Sequence, residues 1–352
     1  MAVLINPHVG TGLPGLSPVL PSTDAEAVAA LLAQCPAARE TPLVALPDLA
    51  AQAGIGEVWL KDERARMGLG SFKALGAAYA IARDAIAAGG DPGMALSGRT
   101  YIAASAGNHG LSVAAGARLF GARAVIVLAQ TVPESFAARL RTKGAEVMRA
   151  GAIYEDSMAA AMRAAADNGW ELLSDSSWPG YTDRPYRVME GYLQMAAEAA
   201  EQMSEPPSHI FLQAGVGGLA AAVAAYARKV WGEGTRIVVV EPEAAPCLME
   251  SAHAGRVVAV EGPVSAMGRL DCKEPSLIAL AGLARDADVF QTVSEGGAQA
   301  AVADLGALGI GTTPSGGAGV AGLLAQGADR EALRLSGTSR VLAILSETGD
   351  LA

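Results

Sequence analysis

Cysteine is scarce in this chain of 352 residues: only Cys35, Cys247 and Cys272 occur. Their spacing fits neither a disulfide scaffold nor a zinc site. The four histidines, His8, His109, His209 and His253, are scattered, so no metal centre is expected. No run of 18 or more apolar residues escapes interruption by charge or glycine, which argues against a membrane span. No basic segment followed by an apolar one opens the chain, and a cytoplasmic location is expected. Clusters of Lys and Arg are missing too. With a formal charge of −10, a nucleic-acid groove is not expected.

What the chain does contain is apolar and glycine-rich. Hydrophobic residues make up 51%, charged residues 18%, and there are 42 glycines. Such a composition buries a core and suits close helix packing with many loop-to-helix junctions. The length is enough for two domains.

Periodicity predicts an α/β chain. Residues 1 to 25 read as an extended arm, followed by two short helices and a strand over 56–63. The stretch 71–89 is a helix stopped by Gly89 and Gly90. Next come a strand at 100–105, a helix from 111, a strand at 123–130, a helix at 133–145, a further strand, and a helix near 155–168. A second series has strands at 209–215 and 236–243 around a helix at 218–232, and a last strand at 341–350. Strands alternating with helices predict parallel sheets covered on both faces.

Against that background GLGSFKALGAAYA (68–80) stands out. Lys73 opens a nearly continuous run of Ala, Leu and Gly, so its ammonium must either reach water or meet a chemical partner. A desolvated lysine amine is nucleophilic and suits a Schiff base with an aldehyde cofactor. In QAGVGGLAAAV (213–223) a strand feeds Gly215, Gly217 and Gly218, then a helix. Glycines permit close approach to a ligand, and the helix start offers N–H groups to an anion. The same loop suits a plain tight turn, or a nicotinamide dinucleotide with Glu241 on the ribose, so that alternative stays open. In SAGNHG (105–110), Ser105, Asn108 and His109 lie in a turn at the end of a strand, either as a ligand site or as a self-satisfied turn. Asp62 and Glu63, at the end of a strand, read as structural.

The blocks KDERARMGLGSFKALG, ASAGNHG, SSWPGY and QAGVGG, in this order, resemble the fold-type II pyridoxal-phosphate enzymes, the tryptophan-synthase-β-like superfamily. Within it the chain is similar to the diaminopropionate ammonia-lyase family from about Thr41 onward. The resemblance implies a fold of two open α/β domains with parallel-rich sheets and pyridoxal 5'-phosphate in the cleft between them. The larger domain would take in 1–90 and 166–352, and the smaller, substrate-side domain 91–165. It places the Schiff-base lysine on Lys73, next to Phe72, and the partner of the cofactor's 3'-oxygen on Asn108. The phosphate loop falls on Gly215, Val216, Gly217, Gly218 and Leu219. Ser346 becomes the uncharged partner of the pyridine nitrogen. Ser105, Ala106, Gly107 and His109 belong to the turn that receives the substrate carboxylate, and Asp175 becomes an acid/base residue on the substrate amine side. A loop aspartate capping the next helix is the structural alternative for Asp175.

The implied reaction is α,β-elimination from a small 2-amino acid with a leaving group at C3, 2,3-diaminopropionate first, giving a 2-oxo acid and ammonia. The alternatives are an L-serine, L-threonine or 3-hydroxyaspartate dehydratase and, in another class, a cofactor-binding regulatory protein. A homodimer is expected on the same resemblance. Two departures matter. Ala106 stands where the lyases carry a second aspartate, and Thr313 where relatives often carry a glutamate. Cys247 and Cys272 fall on cysteines that pair in the lyase family, although two separate thiols suit a cytosolic protein equally.

Overall fold

The computed structural model describes residues 2–325 and 330–349. Its first strands are β1 (Val3–Ile5), β2 (Leu43–Ala45) and β3 (Glu57–Asp62). Four more follow in the middle of the chain: β4 (Thr100–Ala104), β5 (Arg123–Leu128), β6 (Glu146–Arg149) and β7 (Glu171–Leu172). The last four are β8 (His209–Gln213), β9 (Arg236–Pro242), β10 (Val289–Val293) and β11 (Arg340–Leu345).

These strands make two sheets. The larger has the order β1-β10-β9-β8-β11-β3-β2, and the smaller the order β6-β5-β4-β7. Every pairing in the smaller sheet is parallel. In the larger one β10, β9, β8, β11 and β3 are parallel, and only the edge strands β1 and β2 are antiparallel. The α/β architecture expected from periodicity is therefore present. The N-terminal arm differs from expectation: its residues Val3–Ile5 pair with β10 and extend the sheet. The segment read as the final strand is a continuous strand only to Leu345, and its last residue, Asp350, lies outside the described residues.

Uninterrupted burial along β4, β8 and β10 follows from helices on both faces, the condition that makes parallel strands read as continuous apolar runs. The helix Lys73–Ala88 crosses two others on small residues. A side chain on Gly76 would lie 2.7 Å from the Tyr192 ring, so only glycine admits that approach.

Just after β3 the charged run KDERAR folds inward. Lys61, Glu63 and Arg66 are buried, and Arg66 donates to Glu63 and Glu198. Lys61 pairs with Glu198 at 2.8 Å and Thr41 donates to Glu63 at 2.6 Å. Although burial raises the Glu198 carboxyl, Arg66 and Lys61 hold it down at about 2. Asp62 turns outward to Arg64 at 2.8 Å. The cluster thus anchors the turn that leads to Lys73. Arg66→Ala leaves two buried carboxylates short of their cation and should cost about 3 kcal/mol, read as a lowered midpoint in urea unfolding.

Candidate active site

Strand order decides where the site lies. β8, β11 and β3 are neighbours, so the segments leaving their carboxyl ends emerge side by side. These are the loop Gly215–Leu219, the pair Ser346–Glu347, and the turn that enters the Lys73 helix. Open parallel sheets bind ligands at such ends, where strand order reverses. From the smaller sheet, the turn after β4 adds Ser105 to His109.

Lys73 is the first residue of its helix, and Phe72 precedes it as the cap. The Phe72 backbone N–H donates to the Ser346 carbonyl at 3.1 Å, fixing the start of the helix to the end of β11. The Lys73 ammonium donates to the Asp175 carboxylate. Burial works against both charges, yet each partner stabilises the other: the lysine is raised above its ordinary range and the aspartate is pushed well below the usual carboxylate range. Asp175 does not cap the following helix, whose start at Thr182 has no side-chain cap.

The pair sets a pH window for the cofactor-free protein. The lowered Asp175 contributes stability that is present above 3.8 and lost as pH falls through its folded value. The raised Lys73 contributes stability that is present below 10.5 and lost as pH climbs through its folded value. Asp175→Asn should therefore lower the Tm between about pH 4 and pH 10, and the two proteins should converge in stronger acid. With the side chains 23% and 19% exposed, solvent screening limits the effect to about 1 kcal/mol. A Tm difference that persists unchanged at pH 2 would contradict the pairing.

Asn108 is the first residue of the helix Asn108–Leu119, and Gly107 is its cap. Its amide donates to Glu347, a buried residue that also accepts from the Thr313 hydroxyl and pairs with Arg269 at 3.0 Å. His109 is buried, and its Nε2–H donates to the Leu173 carbonyl at 2.8 Å, leaving Nδ1 without a partner. Burial lowers its pKa, so the ring is neutral. Ser105 and Ala106 are half-buried beside it.

The glycine loop joins β8 to the helix Gly218–Trp231. Gly217, at φ +99, takes a left-handed conformation that L side chains rarely adopt, and no side chain caps this 14-residue helix. Its first N–H groups are thus left to a ligand. Tyr192 spans the distance between this loop and Lys73: its ring meets Phe72 edge-on at 4.8 Å, and a side chain on Gly218 would lie 3.5 Å from it. Its hydroxyl is buried with no hydrogen-bond partner, and burial pushes it up to about 12 despite the adjacent Lys73. An amine, an uncapped helix start and an orphaned buried hydroxyl within one cleft fit an aldehyde phosphate cofactor.

The structure gathers Lys73, Phe72, Asp175, Asn108, His109, Ser346 and the loop around Val216 into one place. Val216 is tied by its carbonyl to the Ser276 N–H at 3.0 Å, and Leu219 is buried in the first turn of the helix. Sequence reasoning missed Tyr192, Glu347 and Arg269. Glu347 follows Ser346 directly, so adjacency was the only available signal. The nicotinamide alternative is overturned by Glu241. That carboxyl group is fully buried, where no ribose reaches it, and accepts from the Leu248 and Met249 N–H groups, both at 2.8 Å. Cys247 and Cys272 are free thiols on either side of Gly215. Among the described residues there is no cluster suited to a metal ion, and no helix is long and apolar enough to cross a membrane.

Comparison with known proteins agrees with this geometry. Residues 35–347 match the model of the pyridoxal-phosphate dependent enzyme family. Diaminopropionate ammonia-lyase of Escherichia coli (strain K12) is 36% identical over 253 residues, which cover 68% of this chain and 64% of that protein. The chain thus aligns with somewhat less than two thirds of that relative's length. A serine dehydratase-like protein of Mus musculus is 29% identical over 258 residues, 73% of this chain and 72% of that protein. The crystal structure of the Escherichia coli diaminopropionate ammonia lyase in complex with D-serine superposes with a TM-score of 0.89 at 30% identity, covering 99% of this chain and 93% of that one. With the family model matched over residues 35–347 and the fold shared along 99% of its length with a solved ammonia lyase, the chain belongs to the pyridoxal-phosphate-dependent enzymes of fold type II, on the diaminopropionate ammonia-lyase branch.

Proposed function

We propose that the protein eliminates ammonia from a small L-2-amino acid bearing an amino group at C3, with 2,3-diaminopropionate as the first substrate, and releases a 2-oxo acid and ammonia. The observation that carries this reading is the Lys73–Asp175 pair, which joins the helix start fixed to the end of β11 with the segment after β7 of the smaller sheet. When bound, pyridoxal phosphate supplies the ring that takes up the electron pair left at Cα. Lys73 is the group placed to remove the Cα proton. Asp175, ionised beside it, attracts a cationic distal amine and orients it as the leaving group. The uncapped helix start at Gly217 and Gly218 serves the phosphate, and Asn108 the 3'-oxygen. Ser346, buried after β11, serves the pyridine nitrogen as an uncharged partner, which favours prompt loss of the C3 group. The turn Ser105–His109 serves the substrate carboxylate.

Ala106 favours a second reading, a dehydratase of L-serine or L-threonine, since the turn lacks the extra acid of the lyases. Asp175 weighs against it. An acidic side chain complements a cationic amine better than a neutral hydroxyl, and a cationic amine leaves as ammonia without taking up a proton. One screen separates the readings: oxo-acid release from diaminopropionate, serine, threonine and 3-hydroxyaspartate. Diaminopropionate should be turned over fastest; no oxo acid from any of them would reject the lyase, and leave a cofactor-binding regulatory role.

Two structural proposals rest on the family resemblance alone. Segment 91–165 acts as a substrate-side unit that closes on the rest of the chain (1–90 and 166–352), expelling water from the reacting carbon. The protein works as a homodimer, which sedimentation at micromolar concentration would refute by finding a monomer.

A further inference from the structure

Glu347 is 4% exposed, and the reaction proposed above gives it no part. Its carboxylate is held from three directions: by the Thr313 hydroxyl on Oε1, and on Oε2 by the Asn108 amide and by Arg269 at 3.0 Å. The backbone is held as well. The Glu347 carbonyl accepts from the Thr312 hydroxyl at 2.7 Å, and the residue bridges to Ser71, two positions before Lys73. Thr313 is fixed in turn by the Gly316 N–H at 3.0 Å. A carboxylate this well supplied with donors stays ionised.

An ionised carboxylate only accepts, so the Asn108 amide must turn its NH2 edge, not its carbonyl, toward Glu347. That nitrogen carries two N–H bonds. Glu347 uses one, and the second is then aimed by the plane of the amide. We propose that Glu347 is a positioning residue of the cofactor site: it orients the Asn108 amide so that its second N–H meets the cofactor's 3'-oxygen. Thr313 and Arg269 keep the carboxylate in place. The inference rests on reading the cleft as a pyridoxal-phosphate site with Asn108 at that oxygen. Outer partners of this kind commonly fix the orientation of the groups that touch a cofactor.

The test uses the colour of the loaded protein, not its turnover. A donor on the 3'-oxygen favours the deprotonated form, so losing it raises the pH at which the protonated and deprotonated absorbance bands interchange. The band ratio is recorded over pH for the wild type, Glu347→Leu, Asn108→Ala and the double variant, each loaded with pyridoxal phosphate. Glu347→Leu removes the acceptor that Asn108 faces and should move the ratio by about one pH unit, a tenfold change, in the direction of Asn108→Ala. The double variant should move no further than Asn108→Ala alone. A general structural role predicts additive shifts. Thr313→Val keeps the carboxylate but removes one of its holds; it should shift the ratio the same way by less, and it decides the matter if Glu347→Leu does not fold. Unchanged ratios in both variants, or additive shifts in the double variant, overturn the proposal while leaving the site intact. A wild-type protein that takes up no pyridoxal phosphate overturns the reading of the cleft itself.

Discussion

Lys73→Ala should yield a folded protein that binds pyridoxal phosphate without the absorbance above about 400 nm expected of a lysine-linked cofactor, and that turns over at least ~10³-fold more slowly. The fold should survive because Lys73 sits at the first position of its helix, with its side chain 23% exposed and Asp175 as its ion-pair partner. Non-covalent binding should survive too, since the glycine loop and Asn108 are on other elements. Two functions disappear together: the covalent anchor and the base at Cα. Lys73→Arg separates charge from chemistry. The guanidinium can still pair with Asp175 and should recover the lost Tm, but it stays protonated and should restore neither the band nor the turnover. Borohydride reduction followed by denaturation gives the cleanest reading. A cofactor that remains attached in Lys73→Ala would move the anchor to another lysine.

How much of this was legible in the sequence depends on how local each signal is. Lys73, Asn108 and the loop at Gly217 each stand at the start of an apolar helix, where the sequence changes from turn to helix within a few residues. Their convergence follows from strand alternation, because parallel strands bring every carboxyl end to one edge. Glu347 and Tyr192 were not legible for a physical reason. Glu347 acquires its role from Asn108, 239 residues away in sequence, and in isolation LSETGD is an ordinary polar loop. Tyr192 lies in a helical stretch where an aromatic residue is read as core, and indeed its ring is core; only the orphaned hydroxyl marks it. Arg66 misleads in the opposite way. A run such as KDERAR looks like a solvated face, yet Glu63, Lys61 and Arg66 are buried against Glu198 and Thr41. The glycine loop could not by itself separate a phosphate of one cofactor from that of another. Glu241 stood at the right distance for a dinucleotide, and its complete burial against the Leu248 and Met249 N–H groups removes it from that role.

Ala106 carries the last prediction, a preference for L-substrate of about 10²-fold or more in kcat/KM. Removal of the Cα proton requires a base within about 3 Å, on the face toward which that hydrogen points. Lys73 serves one face. On the other, the turn after β4 offers an alanine methyl, which takes no proton. The neighbouring groups do not replace it. His109 is buried, its Nε2–H is spent on the Leu173 carbonyl, and burial lowers its pKa, which makes its unpartnered Nδ1 a weak base. Glu347 is committed to Asn108, Thr313 and Arg269. Tyr154 is exposed, and a phenol is protonated at neutral pH, so it offers no base there. Ala106→Asp should therefore raise turnover of the D-enantiomer while leaving the L-enantiomer within a few-fold. The new carboxylate replaces a half-buried methyl that packs against the core. Its desolvation is unfavourable, and cofactor occupancy must be measured alongside rate. Equal kcat/KM for the two enantiomers in the unmodified protein would mean that a base outside this turn serves the second face, and Ala106 would not be the deciding position.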